Sequence, residues 1–176
     1  ALTFMDTGDP SNNPKMLEPI VHDIVPKGYV DVFGMNENES AWVAWAIDGH
    51  NPKWRDSIKN PATWLATAQF VSEELGVRVD LHTPFYSATI AGDDVDACPS
   101  FKAEARVLCG AGDAWNAGNI LGLLCGLENL ERITLANAVA ALYVSAGTAD
   151  HPSTDDVIEF LKQDPSKSLD GTKLLK

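Results

Sequence analysis

The chain has 176 residues, 45% of them hydrophobic and 22% charged, a balance that suits one globular domain able to bury a sizeable core. Its formal net charge of -12, with no run of Lys or Arg, argues against nonspecific affinity for nucleic acid or for an anionic membrane. Three cysteines without C-x-x-C spacing signal neither a disulfide framework nor a zinc site, and no apolar run has transmembrane length, so a cytoplasmic protein with reduced thiols is expected.

The sequence opens on "ALTFMD", an apolar strand-like run over residues 2–5 that ends at Asp6 and has no polar lead-in, as if the chain began inside a sheet. The turn-rich "DTGDPSNNP" follows. Residues 15–25 then carry Met16, Leu17, Ile20, Val21, Ile24 and Val25 at helical spacing, which predicts an amphipathic helix broken by "PKG". "YVDVFGM" reads as the second strand, and Asn36 or Asn38 at its carboxyl end can cap a helix running to about Ile47. A further helix spans 61–75, with Pro61 in the first turn and Gly76 as its stop. "VRVDLHT" alternates as the third strand, and "FYSATIAG" pairs with it as the fourth. Residues 101–108 read as one more strand entering a Gly-rich turn. Three helices follow at about 112–126, 130–146 and 153–162, the last capped by Ser153 or Thr154. Alternating strands and helices predict an α/β fold: a Rossmann-like, largely parallel sheet with helices on both faces, in a single unit over 1–176.

In such sheets ligands bind outside the carboxyl ends of the strands. The loops expected there are "DTGDPSNN", "MNENES", "HTPFYS" and "LCGAGD", and two of them are rich in carboxylates and carboxamides, which suit a hard cation such as magnesium. The last loop sets an acid, Asp113, at a helix start whose free N–H groups would attract an anion. The two features are compatible if Asp113 is a general base. It would take a proton from an attacking hydroxyl while the N–H groups of Ala111, Gly112 and Asp113 stabilise a transferring phosphoryl group. Glycines at 110 and 112 keep a Cβ out of the way of that group. The structural alternative is a tight turn followed by a first-turn carboxylate that favours the helix dipole.

Other candidates have plainer readings. The four histidines are scattered with no second ligand at helical spacing, Trp42 and Trp45 suit helix packing, and Asp6 and Asp9 suit turn formation. Asn36 with Glu39 three residues on is the capping-box pattern.

"CGAGDAWNAG", followed by "LANAVAALYVSAG" and "STDDVIEFL" and preceded by "DVFGMNENES", resembles the ribokinase-like (phosphofructokinase-B type) family of carbohydrate and nucleoside kinases, in its C-terminal half. The family's G-A-G-D box matches Gly110, Ala111, Gly112 and Asp113, and its N-x-x-E motif matches Asn36 and Glu39. The resemblance implies transfer of the γ-phosphate of ATP to a sugar or nucleoside hydroxyl, with Asp113 as base and the 110–113 backbone as anion hole. It implies that Asn36 and Glu39 organise Mg2+, through water, and the phosphates. It places Thr83 in the nucleotide-side loop and Asn137 beside the adenine. The sequence departs from the family where Val107 replaces an Asp that helps to hold a monovalent cation, and where "TPFYSA" lacks the glycines of the Thr83 loop. The family's N-terminal half and β-sheet lid, through which its dimers form, are not matched, so the isolated chain is expected to be inactive. An ADP-dependent sugar kinase and a non-catalytic nucleotide-binding half share the same motifs.

Overall fold

The computed structural model describes residues 1–163. Five strands form one sheet in the order β1 (Phe4–Asp6), β2 (Val32–Asn36), β3 (Arg78–His82), β4 (Tyr86–Ala91), β5 (Asp94–Pro99). The first three strands are parallel, with Met5 opposite Phe33 and Phe33 opposite Val79. Strands β4 and β5 follow through connections of three and two residues, lengths that only antiparallel neighbours allow. The sheet is thus mixed, parallel through its first half and a meander at its other edge, in keeping with the predicted α/β class.

By compactness the chain divides into two units: residues 1–82 with 88–96, and residues 83–87 with the described residues from Ala97 onward. In the first unit, Val32, Phe33, Met35, Val79, Leu81 and Ile90 fill the interior, together with Ala41, Val43 and Ala44 of α2 (Glu37–Ile47) and Val71 of α4 (Trp64–Leu75). A short helix, α3 (Lys53–Ser57), lies between α2 and α4. The predicted helix over 15–25 is present in altered form. Its only α-helical turn is α1 (Leu17–Pro19), which widens into a π-turn over Ile20–Ile24 and tightens into a 3-10 turn over Val25–Lys27. Pro19 and Pro26 remove two amide donors from the regular ladder, and such gaps break helical regularity. The buried stripe of Leu17, Ile20, Val21 and Val25 survives the change.

In the second unit, α5 (Ala111–Leu124) packs along α6 (Asn129–Ala146), with α7 (Thr154–Leu161) capped by Ser153 as the sequence suggested. Glycine makes the α5–α6 contact close. A Cβ at Gly118 would lie 2.9 Å from Ala136 Cα, and one at Gly122 would lie 2.8 Å from Arg132 Cγ.

Two expectations are corrected. Residues 101–108 do not form a strand; only Phe101 makes an isolated bridge. The Arg106 and Val107 amides instead both donate to the Val144 carbonyl, at 2.7 and 3.2 Å, so the segment is fastened to α6 rather than to a sheet. The missing strand is β5. It is reached through Gly92-Asp93, where Gly92 has φ +61, as the first central residue of a type II′ hairpin turn requires.

Candidate active site

The first unit holds the N-x-x-E residues. Strand β2 ends at Asn36, whose extended backbone starts α2. Asn36 Oδ1 accepts the Asn38 and Glu39 amides, each at 2.9 Å, while Glu39 Oε2 accepts the Asn36 amide at 2.8 Å. The capping box is complete. It turns the Asn36 amide oxygen into the helix and leaves Glu39 Oε1 without a donor among the described residues. Glu39 is only 5% exposed. Burial raises its pKa to about 7, against the pull of the Asn36 hydrogen bond, and the negative charges of Asp6, Asp9 and Glu37 raise it further. Glu37 is also shifted upward by burial. Asp9 is shifted the other way by hydrogen bonds from the Ser11 amide and hydroxyl, and it accepts Asn38 Nδ2 at 2.8 Å. The Asp9–Asn38 link, 29 positions apart, was not foreseen, although both residues lie in strand-end loops.

Among the described residues no three His, Cys, Asp or Glu side chains are arranged to hold a metal ion. A bare all-protein cage is therefore absent there. What fits magnesium is a buried carboxylate with one oxygen to spare, crowded by other acids, and such crowding is relieved by a cation held through water.

The second unit holds the G-A-G-D box. Gly110, with φ +88, is the N-cap of α5, and its carbonyl accepts the Ala114 amide at 2.9 Å. The positive φ and a neighbouring ring both require glycine here, since a Cβ at Gly110 would collide with the Tyr143 hydroxyl and stand 3.1 Å from Tyr143 Cζ. The Ala111 amide donates to the Leu108 carbonyl at 3.1 Å. It is thus withdrawn from the expected anion hole. The Gly112 and Asp113 amides meet no acceptor among the described residues, and Asp113 itself is exposed in the first turn.

Thr83 and Asn137 also belong to this unit, in different roles. Thr83 Oγ1 donates to the Tyr86 carbonyl at 2.7 Å and accepts the Phe85 and Tyr86 amides, locking the tight turn into β4. Asn137 is 4% exposed. Its Oδ1 accepts Trp115 Nε1 at 2.8 Å and the Ser87 hydroxyl, and its Nδ2 donates to the Pro99 carbonyl at 3.2 Å and to Cys98 Sγ at 3.3 Å. All of its side-chain polar capacity is spent on joining α5, α6, β4 and β5. Ser100, next to Pro99, donates its hydroxyl to the Thr83 carbonyl, so adjacent residues tie the two positions into one framework. Sequence reasoning did not find Trp115 and Ser87 as partners of Asn137, because the spacings of 22 and 50 residues carry no periodic signal.

No protein-family model matches the chain, and no curated protein matches it in sequence. Solved structures do. Ribokinase from Thermotoga maritima superposes with a TM-score of 0.66 at 22% identity, over 93% of this chain and 50% of that one. Arabidopsis thaliana ribokinase, solved with ribose and ATP, gives 0.66 at 20% identity over 93% and 48%. Adenosine kinase from Sinorhizobium meliloti gives 0.61 at 18% identity over 90% and 43%. The chain spans about half the length of these neighbours. Among the described residues no helix is long and apolar enough to cross a membrane. Likeness at this level of identity speaks for architecture, and by it the chain has the ribokinase-like fold, shared with solved sugar and nucleoside kinases.

Proposed function

We propose that this chain is the nucleotide-binding and catalytic part of an ATP-dependent kinase that phosphorylates a hydroxyl group of a sugar or nucleoside. The observation that carries the reading is the start of α5, where two unengaged amides, those of Gly112 and Asp113, adjoin an exposed carboxylate within a ribokinase-like fold. The amides and the helix dipole favour phosphate oxygens. Asp113 accepts the proton of the acceptor hydroxyl as its oxygen attacks the γ-phosphorus, and the bond from that phosphorus to the bridging oxygen breaks, leaving ADP. Magnesium, when bound, neutralises phosphate charge. Glu39 is the residue that would hold it, through water, while Asn36 keeps the carboxylate in place from the helix cap. Ala111 is left out of the anion hole, and Thr83 and Asn137 shape the framework rather than touch the nucleotide through their polar atoms.

We assign the acceptor site, and a dimer contact of the kind the resemblance implies, to a part outside this chain, which spans about half the neighbours' length. Unpaired Cys98, Cys109 and Cys125 suit the cytoplasm. ATP is preferred as donor because the Arabidopsis neighbour was solved with it. Calorimetric titration tests the reading: ATP with magnesium gives a saturable heat and a thermal shift. The absence of both with ATP and with ADP contradicts it.

A further inference from the structure

We propose that Tyr143 is a positioning residue for the anion site at the start of α5. The inference rests on the phosphate-binding reading above and names the side chain that aims its amides. Tyr143 lies on α6, is 5% exposed and packs in a cluster with Ala114, Ala138, Val139 and Val157. Phenylalanine would serve that packing equally well, so the hydroxyl calls for its own explanation. It donates to the Cys109 carbonyl at 2.9 Å, in the peptide that precedes Gly110. The ring fills the space over Gly110 where a Cβ would stand.

Three constraints therefore fix the segment 106–110 that leads into α5. The Tyr143 hydroxyl holds the Cys109 carbonyl, the Leu108 carbonyl accepts the Ala111 amide, and the Arg106 and Val107 amides grip the Val144 carbonyl beside Tyr143. The left-handed Gly110 is the joint through which this fixed segment passes into α5. A peptide free to rotate at 109–110 would let the first turn fray and would re-aim the Gly112 and Asp113 amides. Preset donors bind an anion without an ordering cost, and that cost is what Tyr143 removes.

The test follows the Gly112 and Asp113 amide resonances of the isotope-labelled chain during titration with inorganic pyrophosphate, in the parent protein and in Tyr143→Phe. In the parent both resonances shift and saturate. In Tyr143→Phe the dissociation constant rises about 3- to 10-fold, the equivalent of one net hydrogen bond, and the two resonances start from altered positions even under conditions where the variant is fully folded. An unchanged constant overturns the proposal, whatever happens to the melting temperature, because it leaves Tyr143 a packing residue. Parent resonances that respond to neither pyrophosphate nor ATP with magnesium would overturn the phosphate-binding reading itself, and this inference with it. That failure is seen before any variant is made.

Discussion

Glu39 is where electrostatics at a single residue becomes measurable. Its folded pKa of about 7 lies above the ordinary 4.5, so between these values the native protein holds a proton that the unfolded chain releases. Stability from this group is fully present below pH 4.5 and is lost as pH rises through 7, by about 3 kcal/mol in all. Glu39→Gln keeps an oxygen for the Asn36 amide but cannot ionise. It is expected to flatten the decline in melting temperature between pH 5 and 8, and, in active enzyme, to raise the magnesium concentration needed for half-maximal rate. A variant whose melting temperature falls with pH as steeply as the parent's would contradict the first expectation, and an unchanged magnesium dependence would reduce "NENE" to helix capping. The pairing of Asn36 with Glu39 was legible from spacing alone, because a capping box is a local pattern. The burial that shifts the carboxylate was not, since it comes from residues packed around α2.

Legibility divides along the same line for whole elements. Helices α5, α6 and α7 and strands β1 to β4 lie close to their sequence-based bounds, because hydrophobic period, caps and glycine stops all act within a few residues. Strand β5 was missed because Asp94, Asp96 and Pro99 are poor strand formers, although Asp94-Val95-Asp96-Ala97 does alternate and the Gly92-Asp93 turn suits a hairpin. Residues 101–108 alternate as a strand would, but their backbone donors go to α6, a tertiary choice that no local rule reveals. The same limit applies to Ala111, whose amide is taken by Leu108, and to Asn137, whose side chain is spent inside the second unit. The closeness of α5 to α6 gives an element-scale prediction. Gly118→Ala sets a methyl group against the Ala136 backbone and Val139, and should cost about 1 to 3 kcal/mol through overpacking, read from the urea midpoint. If the midpoint rose, as replacing glycine in a loosely packed helix would make it do, the close approach would be contradicted.

At the scale of the whole molecule, the chain joins a familiar architecture to half the length of the proteins that display it. The kinase reading asks the described part to bind phosphate and supply a base, and asks a part outside this chain to place the acceptor. Positioning of that kind accounts for much of phosphoryl-transfer catalysis. The measurement that tests the central claim most directly is the turnover and ATP affinity of Asp113→Asn in a protein that also carries the acceptor-binding part. Asparagine keeps the shape and an oxygen at the start of α5 but cannot take the proton. Turnover should fall by about 10²- to 10⁴-fold, with ATP bound as tightly as before or more so, since a negative charge beside the phosphates is gone. A stable protein with near-normal turnover would contradict the claim and leave Asp113 as a carboxylate that merely favours a helix start.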